Sequence, residues 1–333
     1  MCGFCNNLKQ VFSHCEALRS IKQPNLKQFP AIIPNLLREN LFLLAQKGTS
    51  MVVLFDPQKI GFLSKGFSLL SGLKTSNMTV HYLRKKVNIT QNSKRMNNKI
   101  VKNLFEFWSY IGIQNNSFNN NKKFKTVSIL GADWPKRVYD VVDSIESYEE
   151  ISKSNIIDSF PKIVTIHKPT KFLDLNKFQL SFTHINMGLD LKNNKNESFQ
   201  NKNIYQIKTK SDVAEFAKVA SQAFNYHVDG AVVYNVAKNS QQAKLYVFRE
   251  NLINYGCGII FFDSNNVAGF HMIGTISEGR GRGIGKSITE RLIHEAVKNN
   301  SKYCVLNASK MGESIYKKLG FTAFGILENY KIV

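Results

Sequence analysis

The stretch GRGRGIGKS at 279–287 packs four glycines, two arginines and a lysine into nine residues. Such a loop suits an anion, because glycine backbone N–H groups can approach it closely and nearby cations balance its charge. Three templates compete for it. The Walker loop G-x-x-x-x-G-K-[ST] matches Gly285, Lys286 and Ser287 but needs glycine where Arg280 stands, so a nucleoside triphosphate is excluded. The dinucleotide pattern G-x-G-x-x-G, begun at Gly279, Gly281 or Gly283, ends on Ile284, Lys286 or Ile288 and fails in every frame. What survives is Arg280-x-x-Gly283-x-Gly285. Between a strand and a helix, its glycines and the unpaired N–H groups of the helix start can face a pyrophosphate, with Arg280 and Arg282 at the rim. Ser287-x-x-Glu290 is a capping-box pattern, and it predicts a helix start after the loop rather than inside it.

Other residues with chemical potential carry weaker signals. Cys2, Cys5, His14 and Cys15 could supply four zinc ligands, but a chain terminus with no second paired motif is a poor metal site, and no metal is expected. The CGFC stretch is not read as a redox motif, since no strand precedes it. The five cysteines, an odd number, describe reduced thiols rather than a disulfide framework. His227, His271 and Glu278 are candidate bases, each set against the ordinary reading of a lone satisfied side chain.

The 333 residues suffice for two domains with separate cores, and 43% hydrophobic with 11% aromatic residues marks a folded chain. The first twenty residues contain no apolar block that would read as a signal peptide, and no apolar run reaches the ~20 residues of a membrane span. The expectation is a soluble cytoplasmic protein acting as a monomer. The net charge is +21. Residues 203–333 hold 16 Lys and Arg against 10 Asp and Glu, leaving 29 against 14 for residues 1–202. A nucleic-acid surface is one reading of that excess. The preferred one is composition bias, because the excess coincides with asparagine–lysine tracts such as NNSFNNNKKFK and KNNKNESFQNKN.

Stepping from the loop to its setting, the elements after residue 203 follow in a clear order. Ile204–Ile207 reads as a strand and Ser211 as the cap of a helix with Val213, Phe216, Ala217, Ala220 and Phe224 on one stripe. A short helix at 231–236 precedes an antiparallel meander of strands at 244–248, 256–262 and 267–276, turning at 263–266. After the glycine loop comes a helix burying Ile288, Leu292, Ile293, Ala296 and Val297, then a strand at 302–306. Ser309 caps a helix with Met311, Ile315 and Leu319 aligned, stopped by Gly320 with Phe321 behind it. Two short strands, 322–325 and 328–332, close the chain.

The earlier part is harder to read. Pro34 starts a helix with Leu36, Leu37, Leu41 and Leu44; Met51–Phe55, Lys125–Leu130 and Ile163–Ile166 read as strands; and 115–122 reads as a surface loop. The stretch LDLNKFQLSFTHINMGLDL at 173–191 can be laid beside KKLGFTAFGILENYKIV at 317–333, with Phe178 opposite Phe321. The organisation expected is an extension at 1–27, a diverged first copy at 28–191, a linker at 192–202 and an intact second copy at 203–333.

The last 130 residues resemble the GNAT superfamily of acetyl-coenzyme A dependent N-acyltransferases. Two stretches carry the resemblance: EGRGRGIGKSITERLIHEA at 278–296, which holds the family's [RQ]-x-x-G-x-[GA] signature, and Tyr316-Lys317-Lys318-Leu319-Gly320-Phe321. It implies an α+β fold, a mostly antiparallel central sheet flanked by helices, arranged as tandem GNAT-like domains of which only the second keeps the signature. It also implies acetyl-coenzyme A as co-substrate and a small-molecule or peptide amine as acceptor. In the family the central strand grips the pantetheine arm, which falls here on Met272, Ile273, Gly274 and Thr275. The diphosphate then falls on Arg280, Gly281, Arg282, Gly283, Ile284, Gly285 and Lys286. Tyr316 matches the tyrosine that protonates the departing thiolate, and His271 is the candidate base beside it. Ser309 stands where many members carry a coenzyme-binding Asn. A catalytically silent coenzyme-binding or nucleic-acid-associated module is the alternative.

Overall fold

The computed structural model describes residues 43–47, 50–54, 77–168, 170–192, 201–238 and 241–333, with side chains from Gln91 onward. The chain divides into two units at Asn92/Ser93. In the first, strands β1 (Leu43–Lys47) and β2 (Ser50–Leu54) pair as an antiparallel hairpin. Leu44, expected on a helix, is therefore in a strand. The rest of that expected helix, the four residues Cys2, Cys5, His14 and Cys15, and 193–200 of the expected linker lie outside the described residues.

The second unit is built on one eleven-stranded sheet. In chain order its strands are β3 (Phe118–Asn120), β4 (Lys125–Ser128), β5 (Lys136–Tyr139), β6 (Ile163–Ile166), β7 (Phe178–Asp190), β8 (Ile204–Gln206), β9 (Ala243–Glu250), β10 (Ile253–Phe262), β11 (Ala268–Thr275), β12 (Tyr303–Ala308) and β13 (Thr322–Ile332). Across the sheet they run β3-β4-β5-β6-β13-β7-β12-β11-β10-β9-β8. Outward from the central pair β13–β7, each side reads antiparallel, then parallel, then antiparallel twice, and the β12 side adds β8 as one further antiparallel edge strand. The two long central strands exchange partners: Ile185–Asp190 of β7 pair with β12, and Glu328–Lys331 of β13 pair with β6. The expected two short closing strands are one, because β7 templates β13 from Thr322 to Ile332 and register shifts near Gly325 and Asn329 absorb the irregularity.

Helices cover both faces. α1 (Asn77–Gln114), which the sequence reading did not anticipate, buries Ile100, Leu104, Phe107 and Ile111 along one line and Val101, Phe105 and Trp108 along the next. Its asparagines obscured that pattern, and they are used: Asn103 donates to the carboxylate of Asp263 (3.2 Å) and to the Val267 carbonyl (2.9 Å). α2 (Ile145–Ser154) lies between β5 and β6 in sequence; α3 (Lys210–Phe224) and α4 (Gly230–Ala237) precede β9. α3 is capped by Thr209 and Asp212 as a reciprocal capping box, two residues before the expected Ser211, because Thr209 is the last extended residue and can reach the Asp212 N–H. α5 (Ile284–Lys298) buries Ile288, Leu292 and Ala296 against the opposite sheet face, and the short α6 (Glu313–Lys318) follows β12. Each fully buried aliphatic or aromatic side chain here contributes about 1.5–3 kcal/mol. No described helix is long and apolar enough to cross a membrane.

Candidate active site

The glycine loop joins β11 to α5. Gly281 and Gly283 have φ of +78° and +75°, and a Cβ at either would meet nothing within 4 Å, so backbone conformation rather than crowding selects glycine there. Gly283 caps α5 with no side chain filling the cap position and no acid in the first turn. The helix start is therefore electrostatically open, with N–H groups and partial positive charge presented to the loop. Ser287 donates its N–H to the Gly283 carbonyl (3.0 Å), so it sits inside the helix and the capping-box start is not used. The left-handed Gly283 starts the helix four residues earlier.

The two arginines differ. Arg282 is engaged by the Glu250 carboxylate and stacks 4.5 Å from the Tyr255 ring centroid, so its charge is already balanced. Arg280 has no ion pair among the described residues; its Nε points back to the Thr275 carbonyl at 3.5 Å. Lys286 pairs with Glu290 at 3.4 Å.

On the strand side, β11 and β12 pair in parallel only from Ala268/Cys304 to Phe270/Leu306. Beyond that point the ladder ends, leaving a gap between the strands. β11 also bulges there: Cys257 pairs with Gly274 and Ile259 with His271, so Met272 and Ile273 oppose Gly258 alone. Met272 has φ +51°, a left-handed conformation rarely held by a non-glycine residue, and the Cys257 thiol donates to its carbonyl (3.4 Å). Gly274 is a close approach: a Cβ would lie 2.8 Å from that of Ala223 and 2.9 Å from the Phe224 ring. Met272, Ile273, His271, Ser309 and Tyr316 all line a single cavity of about 300 Å³ at this gap.

Tyr316 is 9% exposed, stands edge-on to Phe321, and its hydroxyl has no hydrogen-bond partner among the described residues. Burial pushes its pKa up to about 12, which keeps the proton on the oxygen. Ser309 caps a turn instead of α6: its Oγ accepts from the Gly312 N–H (3.2 Å), and Met311 is exposed. His271 is buried, stacked 4.0 Å from Phe107, with Nε2 3.1 Å from Asn103 Oδ1. Burial holds its pKa down at about 3, so it is neutral across the physiological range. His227 and Glu278 do not line the cavity; His227 is tied to Asp133 through its backbone and Glu278 accepts from Ser277.

The family model for the acetyltransferase (GNAT) domain matches residues 208–328, from the start of α3 into β13. The chain carries a GNAT acetyltransferase domain. No curated protein matches the sequence. Among solved structures, a GCN5-related N-acetyltransferase from Kribbella flavida is similar at 11% identity and a TM-score of 0.53, covering 70% of this chain and 94% of its own. A putative GNAT-family acetyltransferase from Novosphingobium aromaticivorans is similar at 13% identity and a TM-score of 0.49, covering 68% and 96%. An acetyltransferase from Clostridium acetobutylicum, solved with acetyl-CoA, is 22% identical with a TM-score of 0.32, covering 36% and 89%. The first of these likenesses establishes the fold, and it extends well beyond the residues the family model matches.

The GNAT domain supplies only one wall of the cavity. The facing wall comes from outside it: Leu104, Phe107 and Trp108 of α1, Trp134 and Pro135 before β5, Arg137 of β5, and Phe182 and His184 of β7. Sequence reasoning missed this wall. No motif marks it, and only the 3.6-residue stripe of α1 could have drawn attention to its place. Arg137 leans on Trp108 (6.0 Å) and Phe182 (5.8 Å), and donates to the neighbouring Lys136 carbonyl at 2.7 Å. His184 Nδ1 lies 3.4 Å from Asn329 Nδ2, whose Oδ1 accepts from Thr165 (2.8 Å). Burial, then the charge of Arg137, lower the pKa of His184 to about 4. Tyr226 donates to the Met272 sulfur at 3.6 Å and closes the cavity beside the bulge.

Proposed function

We propose that the protein transfers an acetyl group from acetyl-coenzyme A to a primary amine by direct attack within a ternary complex. The observation that carries this reading is the open start of α5, presented to a two-glycine loop beside an unpaired Arg280, next to a gap between parallel strands. The diphosphate would rest on the N–H groups of 281–286, with Arg280 as its cation; Arg282 and Lys286, already paired with carboxylates, would add little. The pantetheine arm would run along Met272–Thr275, where β12 no longer occupies the backbone.

The amine nitrogen attacks the acetyl carbon, the C–S bond breaks and the thiolate takes a proton from the Tyr316 hydroxyl, while the proton shed by the attacking nitrogen returns through solvent to the Tyr316 oxygen. The net change is amine plus thioester to amide plus thiol. A thiol's ordinary pKa of about 8.5 makes that proton valuable at neutral pH. The backbone at the β11 bulge would polarise the carbonyl, a role that fixed N–H dipoles fill without side-chain chemistry. We further read the palindromic strand order as two copies of one fold, the first at 28–191 having lost its coenzyme loop and serving as the acceptor-facing wall.

Calorimetry with acetyl-coenzyme A, followed by an amine screen with free-thiol detection, tests the reading. Micromolar binding and amine-dependent thiol release are expected. Binding without release across the panel would mark a silent coenzyme-binding module, and no binding would overturn the proposal.

A further inference from the structure

The cavity lining contains no aspartate, glutamate or lysine, and one permanent cation, Arg137. Among the described residues no carboxylate pairs with that guanidinium; its neighbours are two aromatic faces, the Lys136 carbonyl, Tyr226 and His184. Arg137 is half-buried; holding a charged group in such a cavity without a counter-ion is costly, and a ligand carboxylate would supply the missing charge. A guanidinium set 6.0 Å and 5.8 Å from the Trp108 and Phe182 ring centroids, with one N–H tied to the Lys136 carbonyl, keeps its other N–H groups available. Its planar fork suits two parallel N–H···O bonds to a carboxylate. The surrounding groups fit the same occupant. Leu104, Phe107, Trp134 and Phe224 offer apolar contact, and Asn307, whose Nδ2 donates to Asn186, offers its amide oxygen for orientation. At about 300 Å³ the cavity lies at the small end of ligand sites.

Resting on the acyl-transfer reading above, we propose that the acceptor is a small amine bearing a carboxylate, an amino acid, whose carboxylate is held by Arg137. The same charge would repel acceptors with additional ammonium groups, so polyamines and aminoglycosides fit poorly. Arg137 lies outside the residues matched by the GNAT model. Acceptor choice would then be made by the wall that the family signature does not include.

The test compares L-leucine with L-leucinamide, which keeps the amine and side chain but loses the anionic group, and with 2-aminoethylphosphonate. Thiol release from acetyl-coenzyme A should favour leucine over leucinamide by at least an order of magnitude in kcat/KM. Arg137→Met should raise KM for leucine on the order of 100-fold with kcat little changed and leucinamide unaffected. Arg137→Lys should recover part of the loss. Quenching of Trp108 and Trp134 fluorescence by leucine, lost in Arg137→Met, reads acceptor binding without turnover. Equal use of leucine and leucinamide, preference for the phosphonate, or an Arg137→Met variant that is folded by thermal melting and keeps wild-type KM would overturn the proposal. If acetyl-coenzyme A fails to bind while leucine still quenches the wild type and not Arg137→Met, the acyl-transfer reading falls and the carboxylate site stands.

Discussion

The two sides of the sheet follow the same strand order out to β3 and β9, yet they treat the start of one helix in opposite ways. After β5, α2 begins with Ser144, whose hydroxyl accepts from the Ser147 N–H, and Glu146 sits in the first turn. That end is sealed by a side chain and neutralised by an acid. After β11, α5 begins with a bare Gly283, no side-chain cap and no acid. A helix N-terminus attracts an anion only if the protein itself has not already answered its N–H groups. The same place in the same topology is thus closed on one side and open on the other, and a few residues decide which.

That contrast can be broken deliberately. The largest effect is expected from Gly283→Asp, which imports both the side-chain cap and the negative charge of the first side while tolerating the left-handed φ. Acetyl-coenzyme A affinity should fall about 100-fold or more by calorimetry, with thermal stability little changed; unaltered affinity would show that the open helix start is not the anion site. Tyr316→Phe should lower kcat by about 10- to 100-fold, leaving coenzyme affinity intact. An unchanged kcat from pH 6 to 9 would remove the hydroxyl from the mechanism.

Gly274→Ala places a methyl 2.8 Å from Ala223 and should destabilise by about 1–3 kcal/mol in urea unfolding. No loss would mean that α3 shifts freely against β11. Ser144→Ala should cost about 1 kcal/mol and leave coenzyme binding untouched, the expected result if the sealed helix is purely structural. The smallest effect at neutral pH concerns His271, neutral in the fold because burial holds its pKa at about 3, against about 6.5 in the unfolded chain. The unfolded chain takes up the proton first, so stability is full above pH 6.5 and declines as pH falls toward 3. His271→Asn should flatten that decline in denaturant midpoints measured at pH 7, 6 and 5.

How much of this was legible in the sequence also divides between the two sides. Beyond residue 203 the periodicities of α3 and the meander fall within one to three residues of their structural limits, α5 begins four residues before its expected cap, and Gly320 (φ +90°) stops its helix where expected with Phe321 buried behind it. Those elements are amphipathic with short connections, so local pattern and tertiary placement agree. The earlier side was legible at β4 and β6 but not at α1, whose Asn97 and Asn103 look like breakers and serve instead as hydrogen-bond acceptors from Asn186 of β7 and His271 of β11. β3 lies inside a tract that reads as loop, since Asn119 and Asn120 are exposed edge residues. The coenzyme loop was legible because a spacing rule encodes it. Arg137 was not, because its significance lies in the absence of a counter-charge across the cavity, which no linear pattern records.

The partner exchange between β7 and β13 also constrains how the chain can be made. β7 leaves the ribosome more than a hundred residues before β12 and β13, the strands that flank it, so it must wait as an unprotected edge until they are made. The last eleven-residue strand then enters a slot with β6 on one side and β7 on the other. Closure of the sheet therefore waits on β13, and chains that lack this strand would expose both borders of that slot to aggregation.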